Sequence, residues 1–308
     1  MNEMKYVFGP VPSRRMGRSL GISPIPQKAC NYSCVYCQLG RTNKMTNRRQ
    51  EYFPLEDILA EFDQHHSKEE NYDVVTIVGE GEPTLYSRLG ELIVALKART
   101  TKPVAVITNG ALLYEEEVRN DLMKADLVLP SLDGFDCASF HAIDRPHGFL
   151  NYDEVFQGLV TFSHAYEGLL YLEIMLMDGI NDDEKSLKAF QSLLKQLRYD
   201  RLYINTPVRP PAEDNVRACR PEAMQRAVEM LHGISIDMLA AGSFSSDIAD
   251  DYEAVLSIIG RHPMNQFEIM SFLDSRQNQN PNSIITRLQN DPHVEEAEYK
   301  GYHTYRLK

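Results

Sequence analysis

The segment Cys30-Asn-Tyr-Ser-Cys34-Val-Tyr-Cys37 places three thiols within eight residues, in a C-x3-C-x2-C pattern. Thiols this close on one stretch read as metal ligands, because a disulfide framework spreads an even number of cysteines along a short secreted chain. Structural zinc sites take four protein ligands and commonly use two separated Cys-x2-Cys pairs. This chain has one triplet, with Cys137 and Cys219 as its only other cysteines. Three thiolates on a short loop suit three corners of a [4Fe–4S] cube, leaving one iron without a protein ligand. An open iron binds a small molecule directly, which makes such a cluster catalytic rather than only an electron carrier. The competing reading is a zinc ion completed by Cys137, Cys219 or a histidine.

Hydrophobic runs rich in β-branched residues surround this loop and alternate with helical patterns. Strands are expected at Leu20–Ile25, Val74–Val78, Val104–Thr108, Leu127–Leu132, Leu170–Met175 and Leu202–Asn205. Between them, apolar residues at three- and four-residue spacing predict helices at 55–66, 88–99, 114–124, 151–166 and 183–197. Asp153 and Asp182 or Asp183 are the expected helix starts. Six such alternations imply a parallel sheet, either a partial barrel or an open doubly wound sheet. The polar segments GEGEPT, NGA, DGFD, DGIND and TPVRPP follow strands and should share one pocket, since ligands in α/β sheets sit beyond the carboxyl ends of the strands.

The periodicity changes near 245–262. A helical pattern at Gln266–Leu273, a polar loop, a second at Ser283–Gln289 and a hairpin pattern around Gly301 resemble a winged-helix unit. DNA binding is not expected of it, because residues 260–308 hold six Lys/Arg and six Asp/Glu and lack a basic footprint. A lid, protein contact or substrate-presenting role fits better.

The 308-residue chain has 32 Lys/Arg against 44 Asp/Glu, a net charge of -12. Residues 1–50 nevertheless carry nine Lys/Arg and one acid, so basic charge surrounds the cysteines and acid covers the rest. That contrast is suited to attracting an anionic substrate, cofactor or reductant, while the overall acidity opposes non-specific nucleic-acid binding. Arg14 and Arg15, in PVPSRRMGR before the first expected strand, and Arg209, in NTPVRPP after the sixth, are candidate anion contacts at the pocket mouth. The chain shows no run of about 18 apolar residues and no signal-peptide core, so no membrane role and a cytoplasmic location are expected.

The cysteine pattern after the first strand, with Tyr36 directly before the third cysteine, resembles the radical SAM superfamily. Gly79-Glu80-Gly81-Glu82-Pro83-Thr84 looks like that superfamily's GGEP motif, whose backbone binds the methionyl amine of S-adenosylmethionine (SAM). Thr108-Asn109-Gly110 and Ser131-Leu132-Asp133 match places where polar residues meet its ribose and carboxylate. The resemblance implies a (β/α)6 partial TIM-type barrel over residues 1–245, followed by the winged-helix-like α+β domain over 246–308. It assigns Cys30, Cys34 and Cys37 to a [4Fe–4S] cluster, and Tyr36, Gly79, Gly81, Glu82, Pro83, Asn109, Ser131 and Asp133 to SAM. It also implies reductive cleavage of SAM to methionine and a 5′-deoxyadenosyl radical, which abstracts hydrogen from the substrate. Flavodoxin or ferredoxin is the implied reductant. Cys137 and Cys219 are the candidates for a hydrogen donor or extra ligand.

Plainer roles compete for several of these residues. Gly79–Thr84 serves equally as a tight turn, Asn109 and Asp133 as helix caps, and Cys137 as a small core residue. Residues 8–42 look most like the wyosine-forming tRNA enzymes (4-demethylwyosine synthases), which carry further upstream cysteines; none precedes Cys30 here. The substrate class therefore stays open among a small molecule, a peptide and an RNA. A tRNA-modifying lyase and a non-enzymatic iron–sulfur or zinc regulator are the alternatives.

Overall fold

The computed structural model describes residues 5–65, 71–236, 244–246, 248–299 and 301–308. The chain opens on β1 (Val7–Ser13) and β2 (Gly17–Ile22), then a short pair, β3 (Ala29–Cys30) and β4 (Lys44–Met45). Alternation follows through α1 (Leu55–His65), β5 (Val74–Ile77), α2 (Leu89–Lys97), β6 (Val104–Thr108), α3 (Glu116–Leu122) and β7 (Leu127–Pro130). Helices α4 (Cys137–Ile143) and α5 (Tyr152–Ala165) lead to β8 (Leu169–Met175) and α6 (Glu184–Leu194). Next come β9 (Arg201–Asn205), α7 (Pro221–Leu231) and β10 (Ile234–Ser235).

Eight of these strands form one sheet in the order β1-β2-β5-β6-β7-β8-β9-β10. Only the β1/β2 pair is antiparallel. The parallel strands follow chain order without a reversal, so the sheet is wound in one direction and lacks the switch point of a doubly wound fold. Alternate strand residues enter two separate cores. Val75, Val106, Val128 and Leu172 pack on one face under the helices, whereas Val74, Ala105, Leu129 and Tyr171 pack on the other. Burial on both faces is why these strands read as continuous apolar runs.

The sequence expectations hold for most of this unit, with local corrections. The first strand is β2, ending at Ile22 rather than Ile25, and an unexpected β1 precedes it. Proline and glycine in FGPVPS hide β1's periodicity, which suits its place at the sheet edge with a register shift between Phe8 and Val11. The N-cap of α5 is Asn151, whose Oδ1 accepts from Asp153 N and Glu154 N, so Asp153 lies inside the helix. Asp183 caps α6 by accepting from Ser186 N at 2.8 Å.

The last part comprises α8 (Asp251–Ile259), β11 (Met264–Asn265), α9 (Gln266–Ser275), α10 (Pro281–Asn290), β12 (Val294–Tyr299) and β13 (Tyr302–Leu307). Its three strands form a sheet in the order β11-β13-β12. Tyr252, Val255, Ile258, Phe272, Leu288 and Tyr305 belong to its own hydrophobic cluster. It docks beside the sheet's β1 edge through Arg261 Nη2 donating to Lys5 O, with Ser245 N, just before the unit, donating to Pro10 O, and beside β9 through Tyr299 OH donating to Pro207 O. No helix among the described residues is long and apolar enough to cross a membrane.

Phe162 is fully buried in the main core and stacks on Tyr166 at 4.9 Å. Truncating it to alanine should cost about 3–5 kcal/mol, read from the urea-unfolding midpoint. Phe149→Ala, at an 84% exposed position, should stay within about 0.5 kcal/mol.

Candidate active site

Beyond the carboxyl ends of β5, β8 and β9 lies a cavity of about 310 Å³, within the range of small-molecule sites. Cys30, Cys34 and Cys37 line it together with Gly79, Gly81 and Tyr36. The cysteine segment has little regular structure and is held by hydrogen bonds to distant backbone. Ser33 N and Val35 N donate to Asp144 O and Ile143 O at the end of α4. Thr46 N donates to Cys30 O, and Thr42 Oγ1 to Tyr32 O at 2.6 Å. Glu213 accepts from both Arg41 and Arg145, and its backbone N donates to Val35 O, so one carboxylate clamps the loop from the far side.

The glycine turn lies directly against this segment. Glu82 N donates to Ala29 O at 3.1 Å. A Cβ on Gly81 would overlap that same carbonyl, so only glycine allows the approach. The Glu82 carboxylate is buried and accepts from Thr84 N, Thr84 Oγ1, Thr108 Oγ1 and Asn109 N. Burial raises its pKa while those four donors pull it down.

Burial also pushes the thiols of Cys30, Cys34 and Cys37 above their ordinary range. Nearby Arg306 and Lys28 oppose the shift at Cys37. Asn109 Nδ2 approaches the Cys30 sulfur at 3.7 Å, and Cys34 Sγ lies 3.8 Å from Asp144 Oδ1. Asp133 and Asp144 are both buried, and burial raises both carboxyls. Metal binding at these thiols must therefore release protons.

The residues expected to contact SAM divide into three groups. Tyr36, Gly79 and Gly81 line the large cavity. Asn109, Ser131 and Asp133 line a smaller cavity of about 30 Å³, which shares Tyr32 with it. Glu82 and Pro83 are buried behind the turn and line neither. Asp133 is no helix cap: it accepts from Tyr36 OH and from Met175 N, and Asp136 caps α4 instead. Asn109 Oδ1 caps its own turn by accepting from Ala111 N, while Nδ2 donates to Asn31 Oδ1.

The two candidate hydrogen donors do not reach the large cavity. Cys137 is exposed at the start of α4, with its sulfur 3.7 Å from His141 Nδ1, and is no core residue either. Cys219 faces Asp182 Oδ2 at 3.7 Å, although its backbone N donates to the cavity-lining Thr206.

Arg15 and Arg209 do line the cavity, whereas Arg14, on the same turn as Arg15, is not among its lining residues. Residues from the last part of the chain, which sequence reasoning missed, meet them there. Arg261 lines the cavity, and Arg209 donates to Glu268 and to His262 Nε2 at 3.1 Å. Arg306 donates to Gln38 O next to Cys37. Only the docking of α8, α9 and β13 brings these side chains in, so no local spacing could have marked them.

The geometry is that of a small-molecule site with a thiol wall. Among the described residues no group of three His, Cys, Asp or Glu side chains is gathered to hold a single ion. Cys30, Cys34 and Cys37 all line the one cavity. The chain belongs to the radical SAM superfamily, whose model matches residues 25–190. Within it, the chain belongs with the UPF0026 proteins: it is 35% identical to the one from Methanocaldococcus jannaschii, over 97% of this chain and 94% of that protein. A Brachyspira hyodysenteriae protein named GTPase Obg is 39% identical over 72% of this chain, which spans a third (33%) of its length. The solved structure of TYW1 with a lysine-pyruvate adduct bound has a similar fold, with 20% identity and a TM-score of 0.51 over 70% of this chain and 74% of that one. The superfamily uses a [4Fe–4S] cluster and SAM.

Burial and the nearby Arg209, Arg14 and Arg15 hold His262 neutral, with its pKa lowered to about 3 from 6.5. The folded state then refuses a proton that the unfolded state accepts below pH 6.5, so stability falls as the medium is acidified from there. That loss should be about 1.4 kcal/mol per pH unit from this group. His262→Gln should flatten the pH dependence of the unfolding free energy from urea melts, by an amount approaching that slope below about pH 6; an unchanged slope there would refute the assignment.

Proposed function

We propose that the chain is a radical SAM enzyme in which Cys30, Cys34 and Cys37 hold the cluster, and that its substrate carries an anionic group received by Arg15 and Arg209. One observation carries this reading: the three thiols and the Gly79–Gly81 turn line a single cavity. When bound, the cluster and SAM supply reductive cleavage of a sulfonium C–S bond and a 5′-deoxyadenosyl radical. The chain's own residues do the positioning. Gly79 and Gly81 present bare backbone to the cavity, and Glu82 keeps that turn rigid from behind. Tyr36 is oriented by its hydrogen bond to Asp133, and Asn109 fixes the turn that adjoins Cys30.

The one-directional strand order supports a partial TIM-type barrel for residues 1–245. The order α8-β11-α9-α10-β12-β13, with its separate core, supports a winged-helix-like second domain for 246–308. Lys28, Arg41 and Arg306 near Cys37 offer positive charge to an acidic flavodoxin or ferredoxin. Free thiols at all five cysteines are in keeping with a reducing cytoplasm.

Anaerobic reconstitution with iron and sulfide, followed by dithionite and SAM, tests the assignment. Wild-type protein should bind about four irons and release 5′-deoxyadenosine, and Cys34→Ala should lose both. Equal nucleoside yields from the two proteins would reject the cluster, as would one zinc with a closed ligand shell in anaerobically purified material.

A further inference from the structure

Three arginines from three remote parts of the chain meet on the wall of the large cavity. Arg15 comes from the β1–β2 turn, Arg209 from the loop after β9 and Arg261 from the end of α8. Each guanidinium is anchored through its terminal nitrogens. Arg15 Nη2 pairs with Glu173, and both Nη atoms of Arg209 pair with Glu268. Arg261 Nη1 and Nη2 donate to Ser257 O and Lys5 O, while its plane lies over the Phe8 ring.

The same atom is left over in all three. Nε of Arg15, of Arg209 and of Arg261 is buried with no hydrogen-bond partner. The nearest acid to Arg261 Nε, Glu80 Oε2, stands 3.6 Å away, beyond hydrogen-bond reach. A buried donor without an acceptor is costly, and Glu173 Oε2 on the same wall is a buried acceptor in the same condition, so the polar groups of this wall are incompletely paired within the chain. The cavity wall also carries Lys28, giving four cations against the two acids Glu80 and Glu173.

We infer that this wall is a built oxyanion subsite, made by Arg15, Arg209 and Arg261 and completed by the C-terminal unit, which binds the phosphate or carboxylate of a small substrate. The inference rests on the proposed reading of the cavity and narrows its substrate class. It also gives the C-terminal unit a role, since Arg261 supplies one arm and Glu268 with His262 orients another. Guanidinium forks match the planar spacing of carboxylate and phosphate oxygens.

The test measures anion binding on the cluster-loaded full chain without SAM or reductant, so it stands apart from the radical chemistry. Inorganic phosphate and malonate are titrated separately by calorimetry at constant ionic strength, with chloride as control. One of the two should bind saturably, and which one does identifies the anion class. Arg261→Gln and Arg15→Gln should each weaken binding about tenfold or more with iron content unchanged, and Arg261→Lys should fall between. Arg99→Gln, at a surface pair with Asp63, should bind as wild type. Absence of saturable binding to wild type would overturn the subsite, as would affinities of both folded glutamine variants within about twofold of wild type. Binding without formation of 5′-deoxyadenosine would reject the enzyme reading and leave the subsite standing.

Discussion

The buried carboxylate of Glu82 is the joint on which the candidate site depends. It accepts four hydrogen bonds, two from Thr84 and one each from Thr108 and Asn109, and so ties the turn after β5 to the end of β6. Its backbone N–H reaches Ala29 O, one residue before Cys30. One residue thus couples two sheet strands to the thiol loop. A charge buried this deeply is tolerable only with such complete pairing. That pairing also explains why the side chain faces away from the cavity while the neighbouring glycine backbone faces into it.

The cysteine loop needs outside support because it has almost no internal ladder. A short stretch with three cysteines cannot bury enough apolar surface to order itself, so its entropy must be offset by contacts from elsewhere. Val35 packs with Ile143, Met177 and Val216, and Glu213 binds Arg41 and Arg145 across the loop. These contacts come from segments more than a hundred residues downstream. The thiols are therefore placed by the whole sheet.

The C-terminal unit is joined to the same cavity by charge. Arg209 is held by Glu268 and His262, and Arg306 reaches the carbonyl of Gln38 beside Cys37. Burial and the adjacent arginines keep His262 neutral, so its Nε2 accepts from Arg209 instead of repelling it. A unit with a core of its own thus meets a site built by another, through these polar contacts and through Val11 of β1 packed against that core.

Local order was legible in the residues themselves. Helices α1, α2, α5 and α6, the parallel strands from β2 to β9 and the final hairpin follow from apolar periodicity, because a face that must be buried repeats at the period of its element. The cysteine triplet and the glycine turn were legible for a similar reason: ligand spacing and tight turns are short-range demands. Tertiary structure alone decided which side chains face the cavity. It turned Glu82 and Asp133 inward to hold backbone and Tyr36, sent Cys137 to the surface, and brought Arg261 and His262 beside Arg209. Those outcomes depend on contacts between residues far apart in the chain, and no local pattern records them.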